Sequence, residues 1–385
     1  MNLKRQTLKI LFLHNIPSPY RIPLFYELQK RAGYNFSFIF LSKTHKERKW
    51  ASPDLMNLKH GFLSGITIEI GSIIIAINLK IIKVLLKDEY DIVILSGMSD
   101  LTSMIAACLC KIKGVRALVY SEGTKDGQST LGRLLGPWEM FLLKSTSGMI
   151  LPGSSSKQFY VERGMEEERI FIAPDAVDND HYVSELKKWA CAKVEIKKDF
   201  GLEDSVTLLF VGQLIHRKGV DTLIQAYHQA KAERSDLHLV IVGDGPEKGN
   251  LQKYCEEHKI SDVHFLGWID EDSKSQAYIV ADVFVLPTRF DVWGLVINEA
   301  MCFKLPIIAS TKAGASQDLV IDGVNGYRVP PNNVSLLKEA ILKTIENRDL
   351  QLKMGQESFK RVTQFHSIEA EADGFILAIN KSEGG

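Results

Sequence analysis

The sequence lacks the features that define several common protein classes. It has only five cysteines in 385 residues, and no two of them are spaced as C-x-x-C. An odd number of unpatterned cysteines in so long a chain indicates a reducing compartment rather than a disulfide framework. The ten histidines contain no H-E-x-x-H motif, so they give no reason to expect a zinc site.

Long apolar runs are also missing. The most apolar segment, residues 73–86, is interrupted by Asn78, Lys80 and Lys83, which makes it too short and too charged to span a bilayer. The opening residues M-N-L-K-R-Q-T-L-K-I lack the apolar core of a signal peptide. We therefore expect a cytoplasmic protein and leave open a peripheral contact with the inner face of the membrane.

The whole chain has no excess of positive or negative charge, because 47 Lys and Arg balance 47 Asp and Glu. This balance gives no reason to expect a nucleic-acid partner. Residues 1–180 contain 23 basic and 18 acidic side chains, and that excess suits an anionic partner or a membrane surface. The basic run K-E-R-K at 46–49 is predicted to be a solvated loop, with acceptor or membrane contact as the alternative.

Short apolar runs alternate with segments of helical periodicity along most of the chain. The first half has buried-strand patterns at 9–14 and 91–95 and helical patterns at 74–87 and 131–145. Such alternation predicts parallel sheets covered by helices on both faces. The apolar stripe at 138–143 is predicted to belong to the core rather than to a lipid-binding face.

The alternation lapses once and then restarts. The lysine-rich, weakly periodic segment 184–200 is predicted to bridge two domains, after which strand patterns resume at 206–212. We predict two Rossmann-like domains, residues 1–182 and 183–366, with a C-terminal helix at 367–385 packing back on the first. The active site is expected in a cleft between them, beyond the carboxyl ends of the strands.

Residues 289–301, R-F-D-V-W-G-L-V-I-N-E-A-M, contain the most informative pair of acids. Seven residues separate Asp291 from Glu299, and Gly294 lies between them. A helix starting near Gly294 would leave the N–H groups of Gly294 and Leu295 free for a phosphate, and the acids could accept sugar hydroxyls. On spacing alone, a surface loop with an N-capping aspartate and a solvated glutamate is the favoured interpretation.

Residues 212–219, G-Q-L-I-H-R-K-G, follow a predicted strand and precede a predicted helix. Arg217 and Lys218 could supply positive charge to a diphosphate at this helix entry, or they could be two solvated bases on a loop. The turn G-D-G-P at 243–246 is not the G-x-G-x-x-G fingerprint, and no Walker lysine motif occurs in the sequence.

The order of these motifs resembles the retaining, GT-B-fold glycosyltransferases that use nucleotide sugars, and most closely the family 4-like enzymes of bacterial surface-polysaccharide synthesis. The resemblance implies an α/β fold of two Rossmann-like domains facing across a cleft. It also implies sugar transfer from a nucleoside diphosphate sugar, expected to be a UDP-sugar, to a saccharide or lipid-linked saccharide acceptor. Over about 205–330 it rests on V-G-Q-L-I-H-R-K-G-V, V-G-D-G-P, A-D-V-F-V-L-P, F-D-V-W-G-L-V-I-N-E-A-M and I-D-G-V-N-G-Y, and more weakly on I-P-S-P-Y-R-I-P-L at 16–24 and I-A-P-D-A-V-D at 172–178.

The resemblance implies roles for individual residues. Asp291 would hold the donor sugar and Glu299 the ribose, although Asp291 stands where the family usually has the longer glutamate. The family's diphosphate-binding arginine and lysine fall on Gln213, which has no charge, and Lys218, with Arg217 beside it as a substitute. Further residues implied are Gly294 and Leu295 at the diphosphate, Trp268 and Ile269 at the base, Glu122 near the reacting sugar, and Ser18, Pro19, Tyr20 and Arg21 in an acceptor-side loop.

No metal or other cofactor is expected. The D-x-D triplets at 178–180 and 270–272 do not follow apolar strands as a metal site would require, and a ligand role for His14, at the end of the first predicted strand, is left open. Two other functions also stay open, the second of them because of the substitutions at Asp291 and Gln213. These are a sugar-nucleotide epimerase of the same fold and a non-catalytic nucleotide-sugar-binding subunit.

Overall fold

The computed structural model consists of two compact α/β units, Met1–Pro174 with Ile368–Gly385, and Asp175–Ser367. The basic run at 46–49 lies outside the residues that the structure describes. Those residues are 7–43, 54–63, 65–70, 73–98, 100–124 and 130–382.

The first unit is built on a seven-stranded parallel sheet and a separate two-stranded antiparallel sheet. The strand order in the large sheet is β3-β2-β1-β6-β7-β8-β9, and β4 pairs with β5. In chain order the elements are β1 (Leu8–His14), α1 (Ile22–Lys30), β2 (Tyr34–Phe40), β3 (His60–Phe62), β4 (Ile66–Ile70), β5 (Ile73–Ile77), α2 (Lys80–Lys87), β6 (Ile92–Ser96), α3 (Leu101–Lys113), β7 (Arg116–Tyr120), α4 (Thr130–Lys144), β8 (Gly148–Leu151), α5 (Ser154–Glu162) and β9 (Ile170–Ile172).

The second unit is built on a six-stranded parallel sheet in the order β12-β11-β10-β13-β14-β15. The last helix of the chain, α15 (Ile368–Lys381), belongs to the first unit. The elements of the second unit are α6 (Asn179–Trp189), α7 (Lys193–Asp199), β10 (Val206–Val211), α8 (Val220–Lys231), β11 (Leu237–Val242), α9 (Lys248–Glu257), β12 (Val263–Gly267), α10 (Glu271–Val280), β13 (Val283–Leu286), α11 (Val296–Cys302), β14 (Ile307–Ser310), α12 (Gly314–Leu319), β15 (Gly326–Val329), α13 (Val334–Ile345) and α14 (Arg348–Phe365).

Strand alternation divides the core of the first unit between the two faces of its sheet. In β1, Ile10 and Phe12 pack with α1 and α15, whereas Leu11 and Leu13 pack with α2, α3 and α4. Successive side chains of a strand point to opposite faces, so a strand with helices on both faces must be apolar throughout. The predicted class of two parallel-sheet α/β domains is confirmed.

Two predictions about local structure are wrong. Residues 74–87 are not one helix, because Ile73–Ile77 forms an antiparallel strand with Ile66–Ile70 and only Lys80–Lys87 is helical. The run of β-branched isoleucines favours the strand. The stripe at 138–143 is only partly core, because Trp138 and Phe141 are 57% and 60% exposed while its other apolar side chains are buried.

The segment 184–200 contains the end of α6 and all of α7, and these two helices pack on α10 in the second unit. Tyr182, Leu186 and Trp189 contact the core of that unit at spacings of four and three residues, which place them on one helical face. The intervening lysines obscure this face in the sequence.

Candidate functional site

Loops that follow adjacent strands meet at the carboxyl edge of the second unit's sheet. The N–H of Arg289, after β13, donates to the carbonyl of Arg217, after β10, at 2.8 Å. The N–H of Asp291 donates to the carbonyl of Lys312, after β14, at 3.0 Å. Because β10, β13 and β14 are neighbours in a parallel sheet, their loops converge where such sheets usually bind ligands.

Two glycines permit this convergence. Gly219 has a φ of +67°, and a Cβ atom there would lie 2.4 Å from the carbonyl oxygen of Pro287. Gly294 has a φ of +100°, and a Cβ there would lie 3.1 Å from Leu286. Both backbone conformations are accessible mainly to glycine. The motif glycines therefore allow the loops to approach and the chain to turn toward α11.

Asp291 forms an ion-paired cluster with both predicted diphosphate-binding bases. The Lys218 ammonium contacts Oδ2 of Asp291, and the Arg217 guanidinium lies 3.3 Å from Oδ1. Arg217 also donates to the carbonyl of Phe290 at 2.8 Å. Although Arg217 and Lys218 are adjacent in sequence, both side chains reach the same carboxylate. The structure thus brings together three of the residues assigned to the donor site.

Glu299 lies on α11 and is only 9% exposed. Its Oε2 accepts a hydrogen bond from the Tyr278 hydroxyl at 2.8 Å and lies 3.1 Å from the Lys274 ammonium. Burial and the charge of Glu299 raise the pKa of Tyr278 well above its usual value. Burial disfavours the charged form of Lys274 and by itself would lower its pKa. The negative charges of Glu299 and Glu271 outweigh this effect of burial and raise the pKa of Lys274. Glu299 is therefore not the solvated surface glutamate of the alternative interpretation.

The turn between the two acids differs slightly from the prediction. Helix α11 begins at Val296 rather than Gly294, and Leu295 is its N-cap residue without a side-chain hydrogen bond. Asp291 is therefore not the N-cap of this helix. Within the described part of the chain, the N–H groups of Gly294 and Leu295 have no hydrogen-bond acceptor. The expectation that these two N–H groups bind a phosphate stays a prediction.

The remaining donor-site residues follow β10 and β12 of the same sheet. Gln213 is exposed just after β10, and Trp268 is 67% exposed just after β12. Ile269 is partly buried against the core. The structure thus leaves the side chains of Gln213 and Trp268 accessible to solvent, while Ile269 contributes to packing.

Both D-x-D triplets begin helices. Asp178 caps α6 by accepting from the N–H of His181 at 3.0 Å, and Asp270 caps α10 by accepting from the N–H of Ser273 at 2.8 Å. Helix capping thus explains why each triplet begins with an aspartate at that position. Among the residues placed by the structure, no group of three His, Cys, Asp or Glu side chains could hold a metal ion.

In the first unit, the predicted acceptor-side loop is less accessible than expected. Ser18 and Arg21 are 1% and 2% exposed, whereas Pro19 is exposed and Tyr20 is half-buried. Arg21 forms ion pairs with Glu122 and with Glu371 of α15. The buried guanidinium thus fixes Glu122, which follows β7, and joins it to the C-terminal helix.

His14 also lies at the end of its strand, where its Nδ1 is 2.5 Å from the Ser96 hydroxyl. Burial, reinforced by the charge of Arg21, lowers the pKa of His14 to about 3. His14 is therefore neutral near pH 7 and can accept or donate a single hydrogen bond through each ring nitrogen according to its tautomer.

The residues that hold Glu299 were not identified from the sequence. Lys274 and Tyr278 both contact its Oε2, and Lys274 also lies 3.3 Å from the hydroxyl of Tyr182. The i, i+4 spacing of Lys274 and Tyr278 puts them on one face of α10. This spacing can be recognised in the sequence, but it does not indicate which acidic side chain Lys274 and Tyr278 would contact.

The second unit and the fold of the whole chain are similar to known proteins. Residues 193–361 match the family model described as glycosyl transferases group 1. Alpha-D-kanosaminyltransferase of Streptomyces kanamyceticus is 27% identical over 182 residues, 47% of each chain. A GDP-mannose-dependent alpha-(1-6)-phosphatidylinositol monomannoside mannosyltransferase of Mycobacterium tuberculosis is 30% identical over 198 residues, 49% of this chain and 50% of that relative. The matches span about half the length of these curated relatives.

The crystal structure of HepE from Anabaena in complex with UDP superimposes on the structure of this chain with a TM-score of 0.77. The sequences are 18% identical, and the superposition covers 97% of this chain and 100% of HepE. At this identity the likeness establishes the fold. The chain therefore has the GT-B fold, and its residues 193–361 match the family model of the glycosyl transferases group 1.

Proposed function

We propose that the protein is a retaining glycosyltransferase of surface-polysaccharide synthesis, in lipopolysaccharide or capsule. It moves a sugar from a nucleoside diphosphate sugar, expected to be a UDP-sugar, to a saccharide or lipid-linked saccharide. The proposal rests on the ion-paired cluster of Asp291, Lys218 and Arg217, which lies in the family-matched segment together with buried Glu299. The relatives named as transferases and the UDP bound to HepE support it.

The basic residues at the loop after β10 would bind the diphosphate. The cluster around Asp291 holds Lys218 and Arg217 close together before a ligand arrives. A diphosphate would form ion pairs with both side chains, and the N–H groups of Gly294 and Leu295 would be further hydrogen-bond donors. Such fixed positive groups would stabilise the negative charge that develops on the departing diphosphate.

Glu299 would bind the ribose, and Asp291 would orient the donor sugar. Tyr278 and Lys274 both contact Oε2 of Glu299, and we propose that Oε1 accepts a ribose hydroxyl. The exposed indole of Trp268 and the backbone of Ile269 would contact the base. Asp291 is one methylene shorter than the glutamate of the family pattern, so the donor sugar would have to lie closer to its loop.

In the retaining mechanism, the acceptor hydroxyl attacks from the face of the departing phosphate, which takes the proton. No protein nucleophile is then required, and we assign none. Glu122, held by Arg21, is the first-unit carboxylate that we propose near the reacting sugar, and Pro19 and Tyr20 are the accessible part of the acceptor-side loop. We propose a cytoplasmic location, in keeping with five free cysteines, and no metal cofactor.

Radiolabelled UDP-sugars, incubated with and without a lipid-linked saccharide acceptor, test this proposal. Acceptor-dependent transfer of the label supports it. UDP release that needs no acceptor would favour an epimerase, and binding without turnover would favour a non-catalytic subunit. Asp291→Asn should reduce turnover, and Glu299→Gln should raise the KM for the donor, whereas Asp322→Asn, which alters an exposed ion pair with Arg328, should change neither. If both site variants retain full transfer, the assignment of the site is wrong.

A further inference from the structure

Three helices of the first unit, α2, α3 and α4, lie side by side on one face of its sheet. Helix α2 contacts α3, and α3 contacts α4. Their buried sides join the same core cluster, through residues such as Ile81, Ala106 and Leu142. Since their inward sides share one core, their exposed sides together form one outward surface, which we call the α2–α4 surface.

The α2–α4 surface is strongly basic in a chain of zero net charge. The three helices contain seven Lys and Arg, three in α2 and two each in α3 and α4, and a single acid, Glu139. Glu139 lies 3.5 Å from Arg163, which offsets its charge. The closest acids in sequence are Asp88 and Glu89, which follow α2, and Asp100, which caps the N-terminus of α3. The surface would therefore attract a partner of negative charge.

Several of these basic side chains are not engaged within the protein. Lys83, Lys87, Lys111 and Lys144 are exposed, and none of them forms an ion pair with a residue that the structure places. Their charges are therefore available to an external partner, whereas Lys113 donates to the carbonyl of Leu85.

The same surface exposes large apolar side chains. Trp138 and Phe141 of α4 are 57% and 60% exposed, and their rings stack with centroids 5.6 Å apart. Leu86 of α2 and Ile112 of α3 are 61% and 80% exposed. Solvent-exposed aromatic and aliphatic groups among lysines are the combination found in proteins that lie on a membrane surface, where tryptophan favours the headgroup region.

We propose that the α2–α4 surface binds the surface of a bilayer that contains anionic lipids. Its lysines contact the lipid headgroups, and Trp138 and Phe141 insert at the boundary between headgroups and acyl chains. Among the residues that the structure describes, no helix is long and apolar enough to cross a membrane. This contact is thus peripheral, and it does not depend on the function proposed above.

Sedimentation with vesicles tests this proposal, using the full chain without donor or acceptor. We expect binding to vesicles made of one-third phosphatidylglycerol and two-thirds phosphatidylcholine, weak or no binding to pure phosphatidylcholine, and a marked loss of binding between about 0.1 M and about 0.5 M NaCl. Each lysine near an anionic surface contributes roughly a fivefold effect, so Lys83→Gln, Lys87→Gln and Lys111→Gln combined should weaken binding about a hundredfold.

The aromatic pair needs a separate variant with a matched control. Trp138→Ser combined with Phe141→Ser should weaken binding at least about tenfold, since two large apolar side chains no longer enter the interface. Phe365→Ser removes a side chain that is 58% exposed in the second unit and should leave binding unchanged.

The matched lysine control combines Lys343→Gln, Lys353→Gln and Lys360→Gln, which are exposed positions in the second unit. Melting temperatures equal to that of the unaltered protein show that each variant is folded. The proposal is overturned if the protein binds neither kind of vesicle. That result is expected if the partner of the α2–α4 surface is an acidic protein. Equal binding to neutral and anionic vesicles, or an equal loss in the control lysine variant, would also overturn it.

Discussion

Replacing Lys274 by methionine should destabilise the second unit because it leaves a buried carboxylate without its cation. The side chains of Lys274 and Glu299 are 14% and 11% exposed, and their charged atoms lie 3.1 Å apart. Removing one partner of a buried pair typically costs 3–5 kcal/mol. The hydroxyl of Tyr278 still donates to Glu299 at 2.8 Å, so we expect a loss of about 3 kcal/mol, near the lower end of that range.

Thermal unfolding measures this effect. In a unit of this size, each kcal/mol lowers the melting temperature by about 2–4 °C, so Lys274→Met should lower it by about 6–12 °C. The double variant Lys274→Met with Glu299→Gln also removes the unpaired charge and should recover at least about 1 kcal/mol. Glu271→Gln is the control on the same lysine, because Glu271 is 68% exposed and its ion pair should be worth less than about 1 kcal/mol.

Two outcomes would refute this reasoning. Lys274→Met could be as stable as the unaltered protein, which would mean that Lys274 does not stabilise Glu299. Alternatively, the effects of the two substitutions could simply add, which would mean that the two side chains are not energetically coupled.

Other features of the structure give further predictions. Gly294→Ala should lower the free energy of unfolding by about 2 kcal/mol because alanine is strained at a φ of +100°. Gly249→Ala, in α9 with no atom near its Cβ, is the control and should be neutral or stabilising. Equal melting temperatures of the two variants would contradict this prediction. The pKa of His14 is lowered to about 3, and the unfolded chain takes up this proton near pH 6.5. Stability should therefore fall as the pH drops from about 6.5 toward about 3, and His14→Asn should remove part of that loss; urea midpoints that fall equally in both proteins would contradict it. EDTA should leave UDP affinity unchanged, and a tenfold loss would indicate a metal.

The sequence predicted the two-sheet architecture because its strands are buried on both faces and therefore appear as short apolar runs between helical patterns. It did not predict the β4–β5 hairpin, since the isoleucine-rich run at 73–77 has no alternation that separates it from the helix that follows. It also did not predict α6 and α7, where lysines interrupt the apolar face formed by Tyr182, Leu186 and Trp189.

At the candidate site, the sequence identified Asp291, Glu299 and Lys218 because these residues occur within recognisable motifs. It could not show that Lys218 and Arg217 both reach Asp291, since that depends on how the loops after β10 and β13 converge. It also could not show that Arg21, expected in an accessible loop, is buried between Glu122 and Glu371. Glu371 lies 350 residues further along the chain, and long-range pairs of this kind arise only from the tertiary fold.

Calorimetric titration with UDP tests the central claim most directly, because it requires neither the donor sugar nor the acceptor to be known. The unaltered protein should bind UDP, and Glu299→Ala should weaken binding at least tenfold, which corresponds to about 1.4 kcal/mol for the lost ribose contact. Glu271→Gln should bind like the unaltered protein. Absence of UDP binding, or equal affinity after Glu299→Ala, would contradict a nucleotide-sugar site at Asp291 and Glu299.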